Sequence, residues 1–193
     1  MDTHHADAEH LAEQITRAAA GDRRAFEVLV RRYQRPLFSF LGRMGLRQFE
    51  AEELAQEAFI RVWQHLDRYR VEQGAFSTWL YTIARRLALN ELDRAGRRLQ
   101  DSTGDSPPDA ACEQLGPEQF LQGQQQRTAL LEALRSLPMG DRSVLALAYV
   151  HDLSLADVAR IEICSEAAAK ARLHRARQRL REALPALNPT PLD

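Results

Sequence analysis

A chain of 193 residues carrying 26 Lys and Arg against 27 Asp and Glu can bury one ordinary core or two small ones, and its near-neutral total excludes a uniformly basic or acidic protein. Two cysteines, Cys112 and Cys164, with no CxxC neighbour or spaced Cys/His set, exclude a disulfide framework and a zinc site, so no metal or cofactor is expected. No stretch approaches the roughly 18 apolar residues of a membrane span.

The start, MDTHHADAEH, has neither the basic n-region nor the apolar run of an export signal, which predicts a cytosolic chain. His4, His5 and His10 read as a frayed polar end rather than a metal site. Helical periodicity then runs through the first half, and no stretch alternates apolar and polar residues long enough to suggest a sheet. Four helices are predicted: 8–20, ending at Gly21; 22–41, capped by Asp22, ending at Gly42 and kinked or interrupted by Pro36; 50–66; and 76–98. In the third, Leu54, Ala55, Phe59, Val62, Trp63 and Leu66 form an apolar stripe, leaving Glu52, Glu53, Gln56, Glu57 and Arg61 outward. The fourth mixes Phe76, Trp79 and Tyr81 with Arg85, Arg86, Asn90, Arg94, Arg97 and Arg98. Cations for the backbone beside rings for bases is the combination that single-stranded DNA binding needs, whereas Trp79, Ile83 and Leu87 share a face and suit a core better.

From residue 99 to 126 the chain turns acidic, with Asp101, Asp105, Asp109, Glu113 and Glu118 and no Lys or Arg. Rich in Pro, Gly and Gln and poor in large apolar residues, it reads as a flexible tether between two domains, because a loop of that length within one compact domain is unusual. Helical patterns return at 127–137, 141–151, 154–161 and 165–184, with Ser154 and Asp157 spaced as a capping box. Pro185, Pro189 and Pro191 close the chain. The expected domains are therefore 1–98 and 127–187, with a tail at 188–193.

The segment from Ile163 to Arg181 holds six cations, Lys170, Arg172, Arg175, Arg177, Arg179 and Arg181, against the single acid Glu166. Lys170 is the only lysine of the chain, and arginine is the cation that forks onto phosphate and stacks on bases. A short supporting helix at 154–161 followed by this basic helix is the architecture of a helix-turn-helix DNA reader, whose second helix presents its N-terminal residues to base edges. No Ser/His/Asp set, metal cluster or phosphate-binding glycine loop suggests an enzyme.

The string LRSLPMGDRSVLALAYVHDLSLADVARIEICSEAAAKARLHRARQRLREAL resembles domain 4 of the extracytoplasmic-function sigma factors. The first half resembles domain 2 of the same family in three places: GDRRAFEVLVRRYQRPLFSFL, AEELAQEAFIRVWQHLDRYR and GAFSTWLYTIARRLALNELDR. The resemblance implies a non-enzymatic subunit of core RNA polymerase, docked on the β′ clamp helices and β flap, that opens the −10 element and reads the −35 element of promoter DNA. It also implies an anti-sigma factor as partner. Carried over by position, Glu53, Gln56, Glu57, Phe59 and Trp63 would meet the polymerase; Tyr69, Trp79, Arg85, Arg86, Asn90 and Arg94 the −10 DNA; and Lys170, Ala171, Arg172, His174, Arg175 and Arg177 the −35 DNA. The loop from Tyr69 to Ala75 falls where a flipped base is captured. The rival reading is a free-standing helix-turn-helix regulator that binds duplex DNA without polymerase, which the first half of the chain disfavours.

The match departs from the family at several positions. Ile163 stands where Gly is common and Glu162 where an apolar residue is usual, so the turn is expected to differ in shape, since a β-branched residue resists the left-handed backbone. Ala167, Ala168, Ala169 and Ala171, the last in place of a common Ser, offer little to read bases with, which leaves −35 reading to Lys170, His174, Arg175 and DNA shape. Arg86 stands where many relatives have an Asn facing the −10 base, so their −10 preference does not carry over.

Overall fold

The computed structural model describes residues 3–101 and 120–184, with side chains for residues 9–72, 74–95 and 128–184. All regular elements among them are helical, as expected, and the chain divides into two compact units, one from residues 1–41 and 49–106, the other from 42–48 and 107–193.

The first unit begins with α1 (Thr3–Ala19) and α2 (Arg23–Met44), whose last three residues fall in the second unit. Between them Asp22 caps α2 as its residue type suggests: one carboxylate oxygen accepts the Arg24 and Ala25 amides at 2.9 and 3.2 Å, and the other takes the Arg17 guanidinium at 2.7 Å. The Arg17 hydrogen bond, with the two amides, holds that carboxyl below the usual carboxylate range.

Helix α2 does not stop at Gly42, nor does Pro36 interrupt it; it ends at Gly45, whose φ of 104° suits only glycine. Pro removes one helical hydrogen bond and Gly weakens a helix by about 1 kcal/mol relative to Ala. Both costs are overridden here by the fully buried Leu37, Phe40 and Leu41, which hold the helix by packing rather than by propensity. Helix α3 (Gln48–His65) leads through short 3-10 turns at Leu66–Arg68 and Val71–Gln73 into α4 (Phe76–Asp101). Small residues of α3 (Ala51, Ala55, Ala58) and α4 (Ala84, Ala88) are buried, as are Leu29, Val62 and Leu80, and the Phe40 ring meets Tyr81 edge-on at 5.2 Å.

In the second unit α5 (Phe120–Ser136) is followed by α6 (Met139–Leu145), a single π turn (Ala146–Val150), α7 (Leu155–Glu162) and α8 (Glu166–Ala183). Leu137, Val144, Leu147, Val158, Ile161, Ala169 and Ala176 form its core. The helix expected at 141–151 thus changes register after Leu145. Helix also enters the expected tether from both sides, to Asp101 and from Phe120. The glutamines at 122–126 signalled a polar linker by composition, but Gln is a good helix former, and hydrophilicity alone does not separate the two. The remainder of the tether, residues 102–119 with Cys112, lies outside the described residues, as do the closing prolines and the side chains of His4, His5, Arg97 and Arg98.

Candidate nucleic-acid interface

Helix α3 buries Ala51, Ala55, Ala58, Phe59 and Val62 and turns Glu52, Glu53, Gln56 and Arg61 to solvent, as the apolar stripe predicts. Phe59 is only 7% exposed and, with the half-buried Trp63, packs on Phe26 of α2, at ring distances of 6.4 and 4.9 Å. Those two rings therefore support the outward face from behind. Glu57 accepts from Arg61 Nε at 2.7 Å, one turn along the helix. In the middle of this polar face, in phase with Glu53, Gln56 and Glu57, stands Ile60, 51% exposed. Sequence reasoning passed over it, yet an apolar residue out of phase with the buried stripe was the signal.

The loop before α4 is closed by its own residues. Tyr69 Oη donates to the Gly74 carbonyl at 3.0 Å, and its ring lies 5.5 Å from Trp79 and 5.9 Å from Phe76, which in turn meets Tyr33 at 5.3 Å. Burial pushes the Tyr69 phenol above its ordinary value. Gly74, at φ 139° and ψ 166°, occupies a backbone region that is essentially glycine's alone. Tyr69 and Trp79 are thus half-buried pillars, and the loop presents Val71, 68% exposed, at its surface. Beyond them on α4, Arg86, Asn90 and Arg94 are exposed and Arg85 is turned inward. Arg94 Nη1 pairs with Glu91 at 3.2 Å, an exposed link easily exchanged for another anion.

In the second unit both helix starts are capped as their serines suggest: Ser154 Oγ accepts the Asp157 amide at 3.1 Å and Ser165 Oγ the Ala168 amide at 3.2 Å. Between them Ile163 adopts φ 55°, ψ 51°. The expected change in the shape of the turn does not occur: the left-handed backbone is kept, with the Ile163 side chain 66% exposed, where its branched Cβ meets few neighbours. Its amide and that of Cys164 donate to the Arg160 and Ala159 carbonyls, closing the end of α7.

On α8, Ala169 and Ala176 are buried, whereas Lys170, Ala171, His174, Arg175 and Arg177 are exposed. Arg172 departs from this set. It lies on the flank of the packed face, its Nη1 2.8 Å from Oε2 of Glu162. The Glu162 side chain has no exposed surface and accepts from Ser143 Oγ at 2.6 Å as well. Among the described residues there is no group of three or more His, Cys, Asp or Glu placed to hold a metal ion, and no helix long and apolar enough to cross a membrane.

Residues 29–98 match the family described as Sigma-70 region 2, and residues 127–180 that described as Sigma-70, region 4. The chain is 33% identical to the RNA polymerase sigma-H factor of Pseudomonas aeruginosa, over 88% of this chain and 91% of that one. It is 32% identical to the ECF RNA polymerase sigma-E factor of Escherichia coli K12, over 88% and 93%. The chain belongs to the extracytoplasmic-function sigma factors. A solved structure of the sigma factor RpoE with the anti-sigma factor NepR from Bartonella quintana is 27% identical, at a TM-score of 0.69 over 83% of this chain and 97% of that one.

As a sigma factor the chain directs RNA polymerase to promoters, and its two units correspond in order to region 2 and region 4. The region 2 match takes in most of α2, all of α3 and the loop before α4; the region 4 match takes in the helix-turn-helix of α7 and α8. The departures at Ile163 and Glu162 leave the helix-turn-helix intact, one by tolerating the left-handed backbone at an exposed site, the other by pairing a buried carboxylate.

Proposed function

We propose that this sigma factor acts through three separate faces. The outward face of α3, with Glu53, Gln56, Glu57 and Ile60 backed by Phe59 and Trp63, docks on the β′ clamp helices. The loop and exposed side of α4 hold the unpaired −10 strand, Arg86, Asn90 and Arg94 gripping it while Tyr69 and Trp79 shape the pocket. Lys170, Ala171, His174, Arg175 and Arg177 of α8 lie along the −35 duplex, while the second unit also touches the β flap. The boundaries 1–98 and 127–187 suit this division, with the acidic segment between them spanning the two promoter elements.

The observation that carries this reading is the coincidence of the two family matches, in order, with two helical units that each display exposed cations on one helix. The protein makes and breaks no bond. Contacts made only to the unpaired strand shift the DNA equilibrium toward the open form. It works in the cytoplasm, where polymerase and promoter are, and an anti-sigma factor holds it off polymerase, as the complex of the Bartonella relative suggests.

Run-off transcription with core polymerase and a fragment library of the source genome tests the reading. Discrete transcripts should require the added protein and fade with Lys170→Ala/Arg175→Ala. A protein that shifts duplex DNA but neither binds core polymerase nor starts transcripts would overturn it in favour of a free-standing regulator.

A further inference from the structure

Two arginines of the recognition helix are engaged by buried acids of its own unit. Arg172 and Arg179, about two turns apart and so on one flank of α8, each reach an acid on an earlier helix of the same unit. Arg172 pairs with Glu162 at the end of α7, and Arg179 with Asp141 near the start of α6. Both acids are buried, with side chains 0% and 8% exposed, while the arginines keep 38% and 49% of their surface.

The path of Arg172 is defined by more than its ion pair. A Cβ added to Gly140 of α6 would stand 3.8 Å from Arg172 Nη1, so the guanidinium lies back across the α6 start. Glu162 in turn receives Ser143 from α6 at 2.6 Å. A single string, Ser143 to Glu162 to Arg172, therefore joins α6, α7 and α8. A buried carboxylate holds such a partner firmly, because losing it would leave an uncompensated charge in a low-dielectric site.

We propose that Glu162 withholds Arg172 from promoter DNA: Arg172 is a positioning residue that sets α8 on α6 and α7, and the phosphate-gripping cations of this helix are Lys170, Arg175 and Arg177. This rests on the assignment of α8 to the −35 duplex. It also revises the reading of Arg172 as a −35 contact and assigns a role to Glu162, which resemblance alone left as a departure.

The salt dependence of binding separates a phosphate contact from a structural tie, since each phosphate neutralised contributes about −0.9 to the slope of log K against log salt. The test uses reconstituted holoenzyme and a promoter duplex mapped by the run-off experiment. Glu162→Leu removes the buried carboxylate without leaving a charge behind, and should free Arg172 to reach a phosphate, steepening the slope by up to about 0.9. Glu162→Leu/Arg172→Ala should return it to the wild-type value. Glu182→Gln, which removes an acid from the far end of the same helix, controls for net charge and should leave the slope unchanged. Should the leucine variant fail to give a helical protein by circular dichroism, the isosteric Glu162→Gln takes its place.

A slope unaltered by loss of the carboxylate, or a double variant shallower than wild type by about one contact, would overturn the proposal, the second because Arg172 would already touch DNA. A carboxylate that merely stabilised the fold would weaken binding at every salt concentration without steepening it. Failure of the −35 assignment itself reads differently: Arg175→Ala would then leave the slope at its wild-type value.

Discussion

The two units of this sigma factor hold the helices proposed to face DNA by different chemistry. Helix α4 is seated by large apolar surfaces: Leu80, Tyr81 and Leu87 are buried, Phe40 meets Tyr81 edge-on, and Phe76 sits among Tyr33, Tyr69 and Trp79. Helix α8 buries Ala169 and Ala176 and ties its flank to α6 and α7 through Arg172 and Arg179. Small residues allow close approach but remove little apolar surface from water, and they fix the rotation of a helix weakly. Paired charges are directional and supply that rotation, although they add little net stability once desolvation is counted. A helix anchored by rings and a helix anchored by ion pairs should therefore fail in different ways.

The largest expected effect is in the first unit. Phe40→Ala removes a fully buried ring and should cost about 3 to 5 kcal/mol, seen in urea unfolding followed by circular dichroism as an early transition of the first unit with the second still folded. Equal loss in both transitions would contradict the division. Next comes the ion-pair tie: Arg172→Leu leaves the Glu162 carboxylate short of a partner and should cost about 2 kcal/mol, most of it recovered when Glu162→Leu is added. Without that recovery, packing and not charge pairing would be what seats α8.

The smallest effect has the opposite sign. Ile163→Gly relieves a left-handed β-branched residue whose side chain is exposed, and should stabilise the second unit by about 1 kcal/mol while leaving promoter choice unchanged. A shift in −35 preference in that variant would show that the exposed isoleucine touches DNA.

Much of this was legible in the chain. Helical periodicity, the serines at 154 and 165, Asp22 and the basic run after Ile163 specify helices, caps and a charged face through local rules, and the structure keeps them. The outward residues of α3 likewise follow from the phase of its apolar stripe, and the same phase marks Ile60 once it is sought. The local rules failed where packing opposed them. Pro36 and Gly42 are breaking signals that α2 ignores because its buried face contributes more than either costs, and Ile163 keeps a backbone that its own side chain disfavours.

By itself, the sequence determined an all-α chain with a helix-turn-helix at its basic end, because periodicity, capping and charge are properties of neighbours along the chain. Only the tertiary structure decided which arginines of α8 face outward, that Tyr69 braces a loop against Trp79 and Gly74, and that Glu162 is a buried partner for Ser143 and Arg172. Those outcomes depend on groups that are distant in sequence and brought within hydrogen-bonding reach, where a buried charge must find its partner, and no local pattern encodes the meeting.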